Sequence, residues 1–283
     1  MRILTFDIEE WFHLLDVQGG DECKRWEQRE SRVEVSTQRI LGLLDRFGFK
    51  ATFFCLGWVA QRHPSLIRQI HESGHEIASH TYAHTLLYTE TPQQFRDDLA
   101  RSVQTLEACC GAKVRAFRAP GFSLTRANPW VFDELAAQGI TIDSSIFPTA
   151  RAHGGFAGFG AASPAWVERG GVRIKEFPIN LARCAGIELV FSGGGYFRLL
   201  PARLARTLFR VSPYVMTYFH PRDFDAGQPL LEGLSVLRRF RSYVGIRSAF
   251  AKLEGVLQEH PFVDIDAADR SIDWATARVI SVG

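Results

Sequence analysis

Short apolar segments alternate with amphipathic segments along most of this chain, and this alternation constrains the fold more than any other feature of the sequence. The segment at 36–47 carries apolar side chains at helical spacing and is followed by Gly48, a residue typical of the position just after a helix. A strand-like run at 51–56 comes next. Strands that alternate with helices in this way predict an α/β fold with a largely parallel sheet.

The same alternation continues towards the C-terminus. Thr91 and Gln94 flank the first turn of a predicted helix and form the pattern of a capping box, with proline at the first helical position. The other predicted helices lie at 36–47, 64–71, 129–138 and 246–257. The predicted strands lie at 2–6, 51–56, 76–79, 114–117, 140–142, 172–177 and 215–219.

The length and composition fit a single domain. With 283 residues, of which 46% are hydrophobic, the chain can bury the core of one distorted (β/α) barrel. No linker or internal repeat divides it, so we predict one domain over 1–283, with the barrel at about 1–225 and a short C-terminal helical extension at about 226–283. Two Gly-rich segments, 150–167 and 191–196, are predicted to be long loops that line a functional site.

Charge and cysteine content exclude several classes of function. The 33 basic and 31 acidic residues are evenly spread, which argues against a nucleic-acid partner. No apolar stretch is long enough to span a bilayer and no leader sequence precedes the first strand, so we expect a cytoplasmic protein. The cysteines are odd in number and show no metal-site spacing, so we expect reduced thiols. They are Cys23, Cys55, Cys109, Cys110 and Cys184.

Reactive side chains stand where the predicted strands end. They are Asp7, His80, Arg118, Asp143 and His220. In a parallel (β/α) barrel these strand ends all lie on one face, where catalytic groups collect. We therefore expect these five residues, far apart in sequence, to share one pocket.

Two short patterns predict a metal centre in this pocket. His80 and His84 have HxxxH spacing, so a helical turn after the strand would point both imidazoles at one ion. Asp7 and Glu9 lie on the same side of an extended strand and can divide the roles of base and metal ligand. Each pattern alone is weak, because HxxxH arises by chance and Asp-x-Glu is common at solvated strand ends. Their conjunction with the other strand-end residues favours a catalytic site.

The chain resembles the polysaccharide deacetylases with a NodB-homology domain, carbohydrate esterase family 4. Five motifs of that family occur in order: TFDIE at 5–9, HTYAH at 80–84, RAPGFS at 118–123, DSS at 143–145 and YFHP at 218–221. The resemblance implies that the barrel is of the NodB type. It also implies a divalent metal, with zinc as the default and cobalt, nickel or manganese as alternatives that the same ligands accept.

The resemblance also implies a role for each strand-end residue. Asp7 would be the general base, oriented by Arg118, and His220 the general acid, its imidazole held by Asp143. A carboxylate would bind the metal together with His80 and His84. Because Ile8 stands where many members have a second aspartate, we assign this ligand to Glu9, with Glu10 as a less favoured substitute.

The expected substrate contacts are also partly implied by the resemblance. The backbone N–H of Gly121 takes the place of the family's usual tyrosine and would bind the oxyanion. The fourth motif lacks the usual downstream tryptophan, which leaves Phe147 as the nearest aromatic residue. Phe122 and Tyr196 complete the predicted contacts, together with Trp11, which lies next to the acidic cluster but for which a core position is the favoured alternative.

Two further tracts, 191–198 and 245–250, resemble a subgroup with its own C-terminal extension that is linked to bacterial exopolysaccharide or lipopolysaccharide assembly. The Gly-rich tract lets backbone approach a ligand or forms a simple turn, and the sequence does not choose. A basic run at 238–241 is typical of a solvated face, but would meet an anionic membrane surface if the substrate is lipid-linked.

The function implied is removal of an N-acyl group, with acetyl expected, from an amino sugar of a bacterial surface glycan or its precursor. Two alternatives stay open. A metal-independent hydrolase of C–N bonds in cyclic amides is disfavoured by the intact pair of His80 and His84. A glycan-binding barrel without catalysis is disfavoured because all five motifs keep their chemical residues.

Overall fold

The computed structural model describes residues 1–15, 25–150, 153–184 and 187–283. Cys23 lies outside these ranges, as do two residues of the predicted loop at 150–167. Within them the strands are β1 (Arg2–Ile3), β2 (Thr5–Ile8), β3 (Thr52–Cys55), β4 (Glu76–Ser79), β5 (Ala116–Phe117), β6 (Ile142–Asp143), β7 (Ala165–Arg169), β8 (Val172–Glu176), β9 (Ala182–Cys184), β10 (Ile187–Leu189), β11 (Val215–Met216) and β12 (Val279–Ser281).

The helices lie mostly between consecutive strands. They are α1 (Val33–Phe47), α2 (Gly57–Arg62), α3 (Pro64–Glu72), α4 (Pro92–Cys110), α5 (Val131–Ala137), α6 (Gly194–Leu199), α7 (Ala202–Val211), α8 (Val236–Tyr243), α9 (Ile246–Glu259) and α10 (Ile265–Ser271). Short 3-10 helices occur at Trp26–Gln28, Leu87–Thr89, Pro120–Phe122 and Pro221–Phe224. No helix in the described part of the chain is long and apolar enough to cross a bilayer.

The main sheet has the strand order β12-β7-β8-β6-β5-β4-β3-β2 and is parallel except between β7 and β8. Parallel pairing continues beyond β2, because Phe6 pairs with Phe219 and β1 pairs with β11. The predicted α/β fold with a distorted barrel is therefore confirmed. The antiparallel pair β7–β8 is joined by Gly170 and Gly171, both with positive φ, as a two-residue hairpin requires.

The strands from β2 to β6 are buried on both faces. Phe53 and Phe54 are neighbours in β3, yet Phe53 packs in the cluster between sheet and helices, whereas Phe54 packs in a second cluster with Ala78 and Phe177. Successive side chains of a strand point to opposite faces. A parallel sheet covered on both sides therefore reads as continuous apolar sequence, which is why these strands could be predicted.

Most predicted elements agree with the structure. β4 has the predicted bounds, and α4 begins with the predicted capping box, in which the Thr91 side chain accepts from Gln94 N and the Gln94 side chain accepts from Thr91 N. The predicted loop at 191–196 is only partly a loop, because α6 begins at Gly194. A helix of six residues that opens with two glycines has too little apolar periodicity to be recognised in sequence.

Candidate metal centre and catalytic site

The strand-end residues do meet at one end of the barrel. The parallel register places Asp7 beside Phe54, and Ser79 beside Phe117, so that His80 and Arg118 follow at the same level. His220 comes directly after Phe219, which pairs with Phe6. A cavity of about 600 Å³ opens at this end and is lined by Asp7, Glu9, His80, His84 and His220 among others.

Glu9, His80 and His84 form a buried cluster that fits a metal ion. One ligand atom from each residue lies within 4.8 Å of the others. Glu9 Oε2 lies 2.7 Å from His84 Nε2, and among the described residues it accepts no hydrogen bond. His80 Nδ1 donates to Arg118 O over 2.7 Å, which leaves Nε2 as the ligand atom of that ring. Two imidazoles and one carboxylate, with a buried carboxylate oxygen that has no hydrogen bond among the described residues, form a set that can hold a divalent metal ion.

The charges in this cluster also suit metal binding. Burial lowers the pKa of His80 to about 4, so its imidazole is neutral near pH 7. Burial alone would raise the pKa of Glu9, but His84 and His220 hold it well below its usual range. A neutral imidazole and an ionised carboxylate are the forms that bind metal.

The loop that carries the two histidines is not helical, so the helical turn that would have brought their imidazoles together does not form. Thr81 and His84 both have positive φ, at 68° and 56°. The carboxylate of Asp98 in α4 holds the loop by accepting from the backbone N–H groups of Tyr82, at 2.6 Å, and Ala83, at 2.9 Å. The imidazoles converge because a distant carboxylate stabilises two left-handed residues, each of which costs of order 1 kcal/mol.

Glu10 has a different role from Glu9. Its carboxylate accepts from Ser31 Oγ and from the backbone N–H of Arg32, at 3.0 Å, and so satisfies donors at the start of α1. It is not part of the cluster with His80 and His84. The geometry therefore favours Glu9 as the carboxylate ligand.

Asp7 is held by a fully buried arginine. Arg118 Nη1 lies 2.6 Å from Asp7 Oδ1, and the guanidinium also donates to Thr5 Oγ1 and to the side chain and backbone oxygens of Ser144. A buried guanidinium with its donors satisfied fixes the orientation of the carboxylate it contacts. Asp7 lines the cavity, and its other carboxylate oxygen, Oδ2, lies 3.8 Å from His220 Nε2.

The partner of His220 differs from the predicted one. His220 Nδ1 lies 3.0 Å from Asp223 Oδ2, and the same carboxylate oxygen accepts from the backbone N–H of His220 at 2.9 Å. Burial alone would lower the pKa of His220, but the carboxylates of Glu9, Asp223 and Asp7 raise it to about 9. His220 is thus a protonated imidazole near pH 7, with Nε2 facing the cavity.

The expectation that Asp143 holds this imidazole is therefore wrong. Asp143 is buried, accepts from Ser145 Oγ and lies beside Glu176, and burial raises the pKa of both carboxyls. The adjacent Ser144 donates nothing to His220 but accepts from Arg118. The fourth motif supports the arginine that orients Asp7, because β6 ends next to β5 rather than next to His220.

Arg198 is a functional candidate that the sequence did not single out. Its Nε lies 2.9 Å from Asp223 Oδ1, and its Nη1 donates to the backbone oxygens of Ser242, at 2.9 Å, and Val244, at 3.1 Å. Arg198 and His220 hold the pKa of Asp223 at about 2 despite its burial. The C-terminal segment, Arg198, Asp223 and His220 thus form one connected chain of contacts.

Of the predicted substrate contacts, Gly121, Phe122 and Tyr196 line the cavity. A Cβ at Gly121, where φ is 59°, would lie 2.5 Å from Leu15 Cδ1, so this position accepts only glycine without rearrangement. Phe147 is buried and packs edge-on against Phe122, with ring centroids 5.2 Å apart, so it supports the wall rather than lining it.

Trp11 does not reach the cavity, contrary to the prediction. It is buried, its Nε1 donates to Glu30 O over 2.9 Å, and its ring packs against Phe12. A tryptophan four residues after Asp7 turns away because the chain leaves the strand in a turn. His13 and His153 line the cavity instead and were not predicted from the sequence.

Comparison with known proteins divides the chain into two matched parts. Residues 21–140 match the family Polysaccharide deacetylase, and residues 144–269 match a Domain of unknown function (DUF3473). The chain is 32% identical over 99 residues to a Peptidoglycan-N-acetylglucosamine deacetylase of Bacillus cereus, covering 35% of this chain and 36% of that protein. It is 34% identical over 85 residues to a Chitooligosaccharide deacetylase of Azorhizobium caulinodans, covering 30% and 40%. The matches thus span well under half of these relatives.

Among solved structures, a Mycobacterium smegmatis protein described as a polysaccharide deacetylase is similar over nearly the whole chain. It superposes with a TM-score of 0.66 at 21% identity, covering 99% of this chain and 92% of that chain, which shows a shared fold. Fold and site define a (β/α) barrel with a candidate Glu/His/His metal centre at its strand ends. Residues 21–140 thus match the polysaccharide deacetylase family that the motifs predicted, and the second matched region follows them.

Proposed function

We propose that this chain is a metal-dependent hydrolase that removes an N-acetyl group from an amino sugar of a bacterial glycan or glycan precursor. The observation that carries the proposal is the buried cluster of Glu9, His80 and His84, within 4.8 Å of one another, beside Asp7 and His220 in one cavity. The deacetylases of Bacillus cereus and Azorhizobium caulinodans, named for amino-sugar substrates, support the same chemistry.

Glu9, His80 and His84 would hold one divalent ion, with zinc as the default and cobalt, nickel or manganese as alternatives. Such an ion polarises a carbonyl group and lowers the pKa of a water molecule at the site. The donation from His80 Nδ1 to Arg118 O keeps the other ring nitrogen aimed at the ion.

Asp7 and His220 would move the protons. Asp7, oriented by its 2.6 Å contact with the Arg118 guanidinium, accepts the proton of the attacking water. His220 gives its Nε2 proton to the departing sugar nitrogen. Its contact with Asp223 keeps the ring protonated and oriented for this step.

The remaining residues would position these groups and the substrate. We assign Arg198 as a positioning residue, because it holds Asp223 without reaching the reacting atoms. Gly121 lines the cavity, and its backbone N–H would stabilise the oxyanion, while Phe122 and Tyr196 would provide apolar walls. Phe122 itself is packed between Phe147 and Tyr218, which keeps the wall rigid.

The biological substrate is proposed to be a glycan of the bacterial cell surface or its precursor. The second matched region, 144–269, agrees with the subgroup that has its own C-terminal extension, and this subgroup is linked to exopolysaccharide or lipopolysaccharide assembly. A formyl group would satisfy the same geometry, so the acyl group is part of the test.

The test combines elemental analysis of the purified protein with acetate and formate release from a panel of N-acylated sugars, before and after chelation. We expect about one divalent ion per chain and chelator-sensitive acetate release that returns when metal is restored. The matched control is Asp7→Asn, which should keep the metal and lose hydrolysis. A metal-free protein without release would point to the metal-independent hydrolase or to the binding barrel and would refute the proposal.

A further inference from the structure

The mouth of the cavity carries an exposed apolar surface that, apart from Tyr196, the proposed chemistry does not use. Val236 in α8 is 88% exposed, and Leu237 and Phe240 in the same helix are 57% and 55% exposed. No residue of α8 is buried. Exposed apolar side chains grouped on one short helix are typical of an interaction surface.

The neighbouring helix α6 extends this surface. Tyr196 is 48% exposed and Leu199 is 57% exposed. Arg198, in the same helix, donates to the backbone oxygens of Ser242 and Val244 at the end of α8. We call the side chains of Tyr196, Leu199, Val236, Leu237 and Phe240 the rim patch. Tyr196, Leu199 and Phe240 also line the cavity, so the rim patch borders its entrance.

The two chain segments that carry the rim patch contain basic but no acidic residues. No aspartate or glutamate occurs at 189–222 or at 233–253. Arg239, Arg241 and Arg247 are exposed, and within the described residues none of the three forms an ion pair. Because the whole chain has nearly equal numbers of acidic and basic residues, this segregation of charge is local.

We propose that the rim patch docks on an anionic lipid bilayer, with α8 in the interface and the arginines against the headgroups. Apolar side chains flanked by arginines on a short amphipathic helix are the combination that binds such surfaces. The entrance of the cavity then faces the membrane. This deepens the proposed function and rests on it for the chemistry: the amino sugar belongs to a glycan presented at a bilayer, such as a lipid-linked precursor.

The charge argues against the other occupants of this surface. A second copy of the chain placed across a two-fold axis on this surface would bring the exposed arginines of both copies, including Arg239 and Arg241, into one interface. An acidic polysaccharide would satisfy the arginines but would leave Val236, Leu237 and Leu199 in water. A bilayer surface is the partner that satisfies both the apolar and the cationic side chains.

The test is flotation of the full chain with two kinds of vesicle, phosphatidylcholine alone and phosphatidylcholine with phosphatidylglycerol in equal amounts. We expect binding to the mixed vesicles that weakens with salt, and little binding to phosphatidylcholine alone. Replacing both Val236→Ser and Leu237→Ser should weaken binding at least about tenfold, because their apolar surface enters the interface. Arg239→Gln should weaken it about fivefold, the effect of one cation near such a surface.

The matched control lies at the opposite end of the barrel. Val211 is 64% exposed and ends α7, and the adjacent Arg210 carbonyl is bonded by Arg2 at the start of β1. The double variant Val211→Ser with Arg210→Gln should bind vesicles like the unchanged chain. No binding of the unchanged chain, equal binding by rim-patch and control variants, or self-association without vesicle binding would each overturn the proposal.

Activity separates this proposal from the proposed function. Val236 and Leu237 do not line the cavity, so their double variant should hydrolyse a water-soluble N-acetylated oligosaccharide at the normal rate. Its rate should fall only for the same sugar attached to lipid in mixed vesicles. If the unchanged chain binds vesicles but hydrolyses neither substrate, the proposed function fails while docking stands.

Discussion

Replacing Asp223 by Asn tests whether His220 is a general acid supported by this carboxylate. The change keeps the shape of the side chain but removes the charge that faces Nδ1 at 3.0 Å in a buried environment. A hydrogen bond to a charged group contributes about 1.5–3 kcal/mol. If the transition state loses all of this stabilisation, kcat should fall by about 10- to 150-fold.

The pH profile of kcat should change in a defined direction. The carboxylates of Glu9, Asp223 and Asp7 raise the pKa of His220 to about 9, so in the unchanged chain the acid loses its proton only above neutral pH. Without the Asp223 carboxylate the pKa falls, and the alkaline limb should move towards neutral pH. A metal ion bound by Glu9 would reduce the effect of Glu9 on the pKa of His220 in both the unchanged chain and Asp223→Asn. The difference between the alkaline limbs of the two chains therefore remains the quantity to measure.

The assay is acetate release at saturating substrate from pH 5 to pH 10, with thermal unfolding and metal content recorded for each variant. The control is Asp143→Asn, because Asp143 is equally buried but contacts Ser145 and Glu176 rather than His220. We expect its alkaline limb to stay in place. If Asp143→Asn moves the limb and Asp223→Asn does not, the contact seen here is not the one that operates in catalysis.

Three further variants probe the parts around this pair. His80→Ala should abolish metal retention together with activity, and full metal content by elemental analysis would remove His80 from the ligand set. Arg198→Ala should lower kcat about tenfold with little change in KM and move the alkaline limb as Asp223→Asn does, while Arg198→Lys restores part of both; an unchanged profile would make the residue merely structural. Asp98→Ala should cost about 1–3 kcal/mol of unfolding free energy and weaken metal retention, since two backbone donors lose their acceptor; unchanged affinity would show that the loop holds itself.

The location of the site could be predicted from sequence for a simple reason. In a parallel sheet the C-terminal ends of all strands lie on one edge, so a polar residue that follows an apolar run is placed without knowing the loops. Asp7, His80 and Arg118 were placed correctly because each lies in or directly after a strand. The capping box of α4 is similarly local, since Thr91 and Gln94 contact each other directly.

The partner of His220 could not be predicted in the same way. Two aspartates were available, and the choice depends on the 3-10 helix Pro221–Phe224, which turns Asp223 back onto His220. A carboxylate three residues after the residue that precedes such a turn, here His220, is a capping pattern, and this is the signal that could have identified Asp223. The conformation of the HxxxH loop could not be predicted, because the carboxylate that accepts its backbone hydrogen bonds, Asp98, lies in the helix α4.

The distribution of the site residues bears on the second matched region. His80 and His84 lie in 21–140, Asp7 and Glu9 precede it, and His220 lies in 144–269. That second region also supplies Asp223, Arg198 and the strands β7, β8 and β11 of the barrel. The boundary between the two matched regions therefore divides the sheet. It also separates Asp7 from His220, the two residues proposed to transfer protons. If the proposed mechanism holds, this region of unknown function completes the catalytic centre, and its C-terminal contacts through Arg198 connect the rim patch to the residue that protonates the leaving group.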